Sequence, residues 1–148
     1  MILSDFKDFP RVGRIIGVDW GARRVGVAVS DETRDLVFTR PVIQTPRGTD
    51  AAPEIATIAR DVRAVGIVIG LPMHADGTES ETSACVREFA ARVAQNIDLP
   101  ICLIDESFTS ITAQSQMGRV RRDDIKRELD SASARVILEN AIAIVRRI

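Results

Sequence analysis

Two aliphatic runs, Gly66-Ile67-Val68-Ile69-Gly70 and Leu99-Pro100-Ile101-Cys102-Leu103-Ile104-Asp105, restrict what this chain can become more than any other feature. Neither alternates polar with apolar residues, so each must be covered on both faces, as strands of a parallel sheet are. Between them Cys85, Val86, Phe89, Ala90, Val93 and Ile97 recur at helical spacing, and Thr78 followed by Glu81 resembles a capping box at the helix start. Strand, helix, strand in this order predicts a right-handed parallel crossover.

Upstream, Ile15-Ile16-Gly17-Val18-Asp19 and Val25-Gly26-Val27-Ala28-Val29 read as two strands around the turn Trp20-Gly21-Ala22-Arg23, with Gly21 supplying a permissive backbone. Leu36 to Ile43 makes a third strand, in which Pro41 marks an edge or a break. After Pro53, the positions Ile55, Ala56, Ala59 and Val62 predict a helix, and Leu129, Ala132, Val136, Ile137, Ala141 and Ile144 predict a closing amphipathic helix. The expected architecture is therefore α/β: a mixed five-stranded sheet, three antiparallel strands then two parallel, with helices on both faces.

The chain's 148 residues suit one domain, expected over 13–148, with residues 1–12 as a loosely held extension. No apolar run is long enough to cross a bilayer, so no membrane partner is expected, and the acidic first residues do not read as a secretory signal. Cytoplasmic location is the expectation. Cys85 and Cys102 read as buried thiols in a reducing compartment.

The acids carry the chemistry. Asp19 ends the first predicted strand and Asp105-Glu106 end the last, and ligands of open α/β sheets gather beyond the carboxyl ends of strands. These two strands are expected to be neighbours. Asp130, near the start of the closing helix, completes a set of three carboxylates if that helix packs across the same edge. Like charges so close call for a cation, and an oxygen-only cluster suits Mg²⁺ or Mn²⁺. Taken singly, each acid also has a structural reading: Asp19 as a turn residue, Glu106 as a solvated strand end, Asp130 as a helix cap.

The remaining candidates are weaker. His74 lies in a polar loop without the neighbouring ligands of a zinc site, and Trp20 reads as packing against the sheet. Gly17, Gly21 and Gly26 lack the spacing of a P-loop or dinucleotide fingerprint. Ser107 and Thr109 offer hydroxyls to a phosphate. The formal net charge of −1 gives no bulk attraction to polyanions, so nucleic acid must be held by a local patch. Arg23 with Arg24, and Arg119, Arg121 and Arg122 with Lys126 and Arg127, are the candidates. Residues 116–128 are expected to form a mobile basic flap; the competing reading has the closing helix begin early, capped by Asp123 or Asp124.

Four blocks share a pattern with a known family. They are Gly17-Val18-Asp19-Trp20-Gly21-Ala22-Arg23-Arg24-Val25-Gly26-Val27-Ala28-Val29-Ser30-Asp31, then Gly70-Leu71-Pro72 with Asp76-Gly77-Thr78-Glu79, then Asp105-Glu106 with Thr109-Ser110 and Ala113, then Asp130-Ser131-Ala132-Ser133-Ala134 with Ile137-Leu138. In these the chain resembles the YqgF/RuvX family, described as Holliday-junction resolvases and as nucleases maturing the precursor of small-subunit ribosomal RNA. The resemblance implies a ribonuclease H-like fold and assigns catalytic and metal-binding roles to Asp19, Glu106 and Asp130. It also implies two metal ions, about 4 Å apart in such sites, and products with a 3′-hydroxyl and a 5′-phosphate.

One departure stands out: the family commonly has arginine after the Asp-Glu pair, where this chain has Ser107. The missing charge is expected from Arg23, Arg24 or the Arg119 to Arg127 segment. The expected partner is nucleic acid, as structured RNA or branched DNA, and a homodimer is left open. Two rival readings exist. An actin-like ATPase or sugar kinase binds nucleotide between two such domains, and this chain is sized for one. A noncatalytic binding module on the same fold is the second rival, and keeping all three acids argues against it.

Overall fold

Residues rich in β-branched side chains form the strands. They are β1 (Ile2–Leu3), β2 (Ile15–Asp19), β3 (Arg24–Ser30), β4 (Val37–Gln44), β5 (Gly66–Leu71) and β6 (Ile101–Asp105). Helix α1 (Ala52–Asp61) precedes β5, α2 (Glu81–Asn96) joins β5 to β6, and α3 (Arg122–Arg147) closes the chain. The computed structural model describes residues 1–47, 49–106 and 122–148, the side chains of the last stretch from 132 onward.

The strands form one sheet in the order β1-β6-β5-β2-β3-β4. β2, β5 and β6 run parallel, as does β1 beside β6, while β3 and β4 are antiparallel. The expected mixed sheet is present, with three differences. β5 lies between β2 and β6, so the two strands that end in acids are not neighbours. The order of elements along the chain suggests adjacency, but the crossover through α1 returns the chain to β2's free edge before α2 carries it one strand further out. Second, the residues read as a loosely held extension add a sixth strand at the β6 edge and bury Phe9, which is 2% exposed. Third, the cap of α2 is Ser80 rather than Thr78: the Ser80 hydroxyl accepts the Ser83 N–H at 3.2 Å, and the Ser83 hydroxyl accepts the Ser80 N–H at 2.9 Å. Serine serves at the third helical position as glutamate does in the commoner box.

Pro41 acts as foreseen. β4 is an edge strand, and one extra residue lies between Arg40, opposite Val27, and Ile43, opposite Val25. That bulge absorbs the N–H that proline lacks.

Alternation along the strands divides the core into two layers. Ile16, Val18, Ile67, Ile69 and Leu71 face α1 and α2 with Ile55, Val86 and Phe89. Ile15, Val68, Cys102 and Ile104 face α3 with Ala134, Ile137, Leu138, Ala141 and Val145. Cys102 is a buried thiol as expected, pushed up to about 11 by burial and then by Asp5. Cys85 is exposed, because the buried stripe of α2 runs Ser83, Val86, Phe89, Ala90 and Val93. α3 begins at Arg122, so the backbone of residues 122–128 is helical rather than a flap, with Asp123 and Asp124 inside the helix instead of capping it, while 116–121 lie outside the described residues. Among the described residues no helix is long and apolar enough to cross a membrane.

Candidate active site

β2, β5 and β6 end at one edge of the sheet, and their pairing sets the geometry there. Val18 lies opposite Ile69, so continuing the register puts Asp19 level with Gly70; Leu71 lies opposite Asp105, so Glu106 follows just beyond. Side chains alternate along a strand. Asp19 therefore shares the α3 face with Gly17 and Ile15, and Glu106 shares it with Ile104 and Cys102. Asp105 is exposed and belongs to the opposite alternation.

Two glycines let this face close. A Cβ on Gly17 would lie 2.7 Å from Leu138 Cβ and 2.8 Å from the Ala134 carbonyl oxygen, so α3 rests directly on the β2 backbone. A Cβ on Gly70 would lie 2.5 Å from Ile137 Cδ1 and 2.8 Å from Glu106 Oε2. The Glu106 carboxyl therefore occupies the space a side chain at 70 would fill, against the α3 residue Ile137. Adjacent strands are about 4.8 Å apart, which brings the carboxyl over Gly70 within reach of the neighbouring Asp19 position.

α3 runs antiparallel to β2. Ala134 sits over Gly17, and Arg146, far along the helix, donates to the Thr33 carbonyl at the opposite edge of the sheet. Four residues back from Ala134 is about 6 Å along a helix axis, and two residues on from Gly17 is about 6.6 Å along a strand. Helix position 130 is thus level with Asp19. The Asp130 side chain lies outside the described residues, as do Thr109, Arg119, Arg121 and the Arg122 side chain. Among the described residues no group of three ligating side chains gathers; the edge brings together Asp19 and Glu106.

The electrostatics centre on Glu106. It is 7% exposed, and burial, then the Asp105 charge, push its carboxyl up to about 7. Its backbone N–H donates to the Leu71 carbonyl at 3.2 Å, tying the chain beyond β6 to the end of β5. Burying an ionised carboxylate is unfavourable unless it is paired, so this site favours either a proton or a cation at Glu106. A hard, oxygen-seeking divalent ion fits such donors.

The rim is ordered by the loop from Pro72 to Ser80. The buried Ser83 hydroxyl donates to the Pro72 carbonyl, while His74 N–H bonds to the Thr78 carbonyl at 2.8 Å. His74 is exposed in this turn, as its loop reading requires. Trp20 packs on the core with its ring 6.4 Å from Phe89, which matches its expected role. Arg23 and Arg24 are exposed at the turn after Asp19. Sequence patterning alone does not mark Gly70 as the seat for Glu106; a glycine one residue before the end of an aliphatic strand is the signal that points to it.

Residues 13–143 match the model of the family described as "RuvX: Holliday junction resolvase". The chain belongs to the RuvX family. RuvX membership agrees with two relatives named "Putative pre-16S rRNA nuclease". The Maridesulfovibrio salexigens protein is 36% identical over 132 residues, 88% of this chain and 98% of the relative. The Rhodopirellula baltica protein is 35% identical over 142 residues, 93% of this chain and 81% of the relative. Among solved structures, T. thermophilus RuvC in complex with Holliday junction substrate superposes with a TM-score of 0.59 at 12% identity, covering 91% of this chain and 96% of that one. The fold is ribonuclease H-like, and the family description is that of a nuclease.

Proposed function

We propose that this RuvX chain is a metal-dependent endonuclease, in which Asp19, Glu106 and Asp130 hold Mg²⁺ or Mn²⁺ and a nucleic-acid phosphodiester is hydrolysed. The observation that carries the reading is the buried Glu106 carboxyl seated over Gly70, level with Asp19 and under α3. When bound, the metal supplies an activated water and stabilises the charge that develops on the phosphate. The protein's own residues do the positioning. Gly70 and Ile137 confine the Glu106 carboxyl, and Asp19 sits at the rigid end of a central strand. Asp130 is the third ligand in this reading. Arg23 and Arg24 hold phosphates flanking the cut, joined by Thr109, Arg119, Arg121 and Arg122 from the segment before Asp130.

The substrate we propose is precursor 16S ribosomal RNA in the cytoplasm, supported by relatives of that name that align over most of this chain. Branched DNA is the second substrate, supported by the family description. The test is incubation of labelled precursor RNA and of labelled four-way junctions with Mg²⁺, with Mn²⁺ and with chelator. Metal-dependent cleavage of the RNA at a defined position supports the reading. Binding of both substrates without cleavage in either metal would replace it with a noncatalytic binding module.

A further inference from the structure

The turn between β3 and β4 holds a residue that the proposed chemistry does not use. Arg34 is only 4% exposed and takes the left-handed backbone conformation, φ 64°, which is uncommon for a long side chain. The turn is built to keep it there. One oxygen of the Asp31 carboxylate accepts the Leu36 N–H at 3.1 Å, the other accepts the Thr33 hydroxyl at 2.8 Å, and the Arg34 N–H donates to the Asp31 carbonyl at 3.2 Å. The Arg34 Nε–H donates to the Gly13 carbonyl at 2.8 Å. Both terminal guanidinium nitrogens, however, are buried and have no partner among the described residues.

Arginine does not shed its proton in proteins, so this is a fixed positive charge withdrawn from water. Isolated buried charges are rare because they are costly, and an orphaned one signals a missing partner. Its surroundings say what kind. Arg34 lines a cavity of about 340 Å³ with Asp35, Leu36, Arg135, Glu139 and Arg146 among its walls. Three guanidiniums face two carboxylates there, and both carboxylates are taken: Arg135 pairs with Glu139 at 2.6 Å and Arg146 with Asp35 at 3.0 Å. One positive charge is left over, and it is the buried one. The Arg146–Asp35 pair is half exposed or more on both sides, so it is weak and a ligand can open it cheaply.

We infer that Arg34, with Arg146 and Arg135, forms a binding site for a phosphate group, at the sheet edge opposite the acids. A phosphate offers oxygens enough for two guanidiniums at once, which a carboxylate saturated by a single arginine does not. The Arg34 terminal nitrogens are shut off from solvent, so the phosphate reaches them by opening the exposed Arg146–Asp35 pair, where it takes Asp35's place on Arg146 and supplies the acceptors that Arg34 lacks. The site is independent of the catalytic reading, since none of its residues lies at the acidic edge. The phosphate can come from a small molecule or from a nucleic-acid backbone, and the experiment separates the two.

The full-length protein, in chelator, is titrated with inorganic phosphate and in parallel with a short oligonucleotide lacking terminal phosphates, each against sodium chloride at equal ionic strength. Thermal midpoint and the NMR signal of the Arg34 Nε–H are followed. The midpoint is expected to climb with the logarithm of ligand concentration, as mass action requires, and the Arg34 signal to move with it. A shift of the Arg34 signal with phosphate identifies a small-molecule site, and a shift of that signal with the oligonucleotide alone identifies a backbone contact. Arg34→Met should abolish the response to phosphate and remove this site's share of the response to the oligonucleotide, the remainder belonging to the nucleic-acid contacts proposed at the acidic edge. Arg146→Met, an exposed change that leaves the fold intact, should weaken the response of the Arg34 signal several-fold and keeps the test decisive if the first variant folds poorly. A parent protein whose Arg34 signal responds to neither ligand beyond the chloride control overturns the inference, whatever its midpoint does, as does an undiminished response of the Arg34 signal in Arg146→Met.

Discussion

Replacing Glu106 by glutamine should change how stability depends on pH, and by an amount the structure sets. The Glu106 carboxyl is raised from 4.5 to about 7, chiefly by burial and secondly by Asp105. In the unfolded chain the same group titrates near its ordinary value. Between those two points the folded state holds a proton that the unfolded state has released, so stability falls as pH rises through this window. At about 1.4 kcal/mol per pH unit, the full loss is about 3 kcal/mol, complete above pH 7 and absent below pH 4.5. Denaturant unfolding of the metal-free protein at intervals from pH 5 to 8 measures it. The parent should lose stability across the interval, and Glu106→Gln, which carries no proton to lose, should lack that component and exceed the parent at pH 8. Saturating Mg²⁺ should restore much of the parent's loss at pH 8 and do little for the variant. Parallel pH profiles for the two metal-free proteins would refute the argument that burial holds Glu106 protonated.

Three further outcomes follow from the same geometry. Asp19→Asn, Glu106→Gln and Asp130→Asn should each abolish nearly all cleavage with circular dichroism unchanged; a variant cutting at the parent rate in saturating metal removes that residue from the site. Gly17→Ala drives a methyl into the Ala134 carbonyl and should cost about 2–3 kcal/mol in denaturant unfolding, whereas Gly70→Ala meets the movable ends of Ile137 and Glu106, costs about 1 kcal/mol, and shows its main effect as lost cleavage. Equal stability losses with cleavage retained in Gly70→Ala would count against the seat at Gly70. Ser83→Ala removes the half of the capping box in which its hydroxyl accepts the Ser80 N–H, together with the bond to the Pro72 carbonyl, while the Ser80 hydroxyl still caps the Ser83 N–H, and should lower stability by about 1–3 kcal/mol in the same assay.

Much of this protein is written locally. Uninterrupted aliphatic runs announce the buried strands β2, β5 and β6, the stripe of α2 appears as a 3.6-residue period, and Pro41 announces an edge, because each rests on contacts a few residues apart. Asp19 and Glu106 are legible as strand-end acids for the same reason, and the four-block pattern singles out Asp130 beside them. What escaped is everything that depends on which segments meet. Strand order put β5 between the acid-bearing strands, and nothing in a run of residues records its neighbour. The short strand β1 is two residues long and exists only because β6 offers it a partner. Glu106 looks like any solvated glutamate until α3 and Gly70 enclose it, and Arg34 sits in a polar turn, Asp31-Glu32-Thr33-Arg34-Asp35, that reads as surface. Burial is a property of the assembled tertiary structure. Residue types alone state which groups can ionise; only packing decides which must do so away from water.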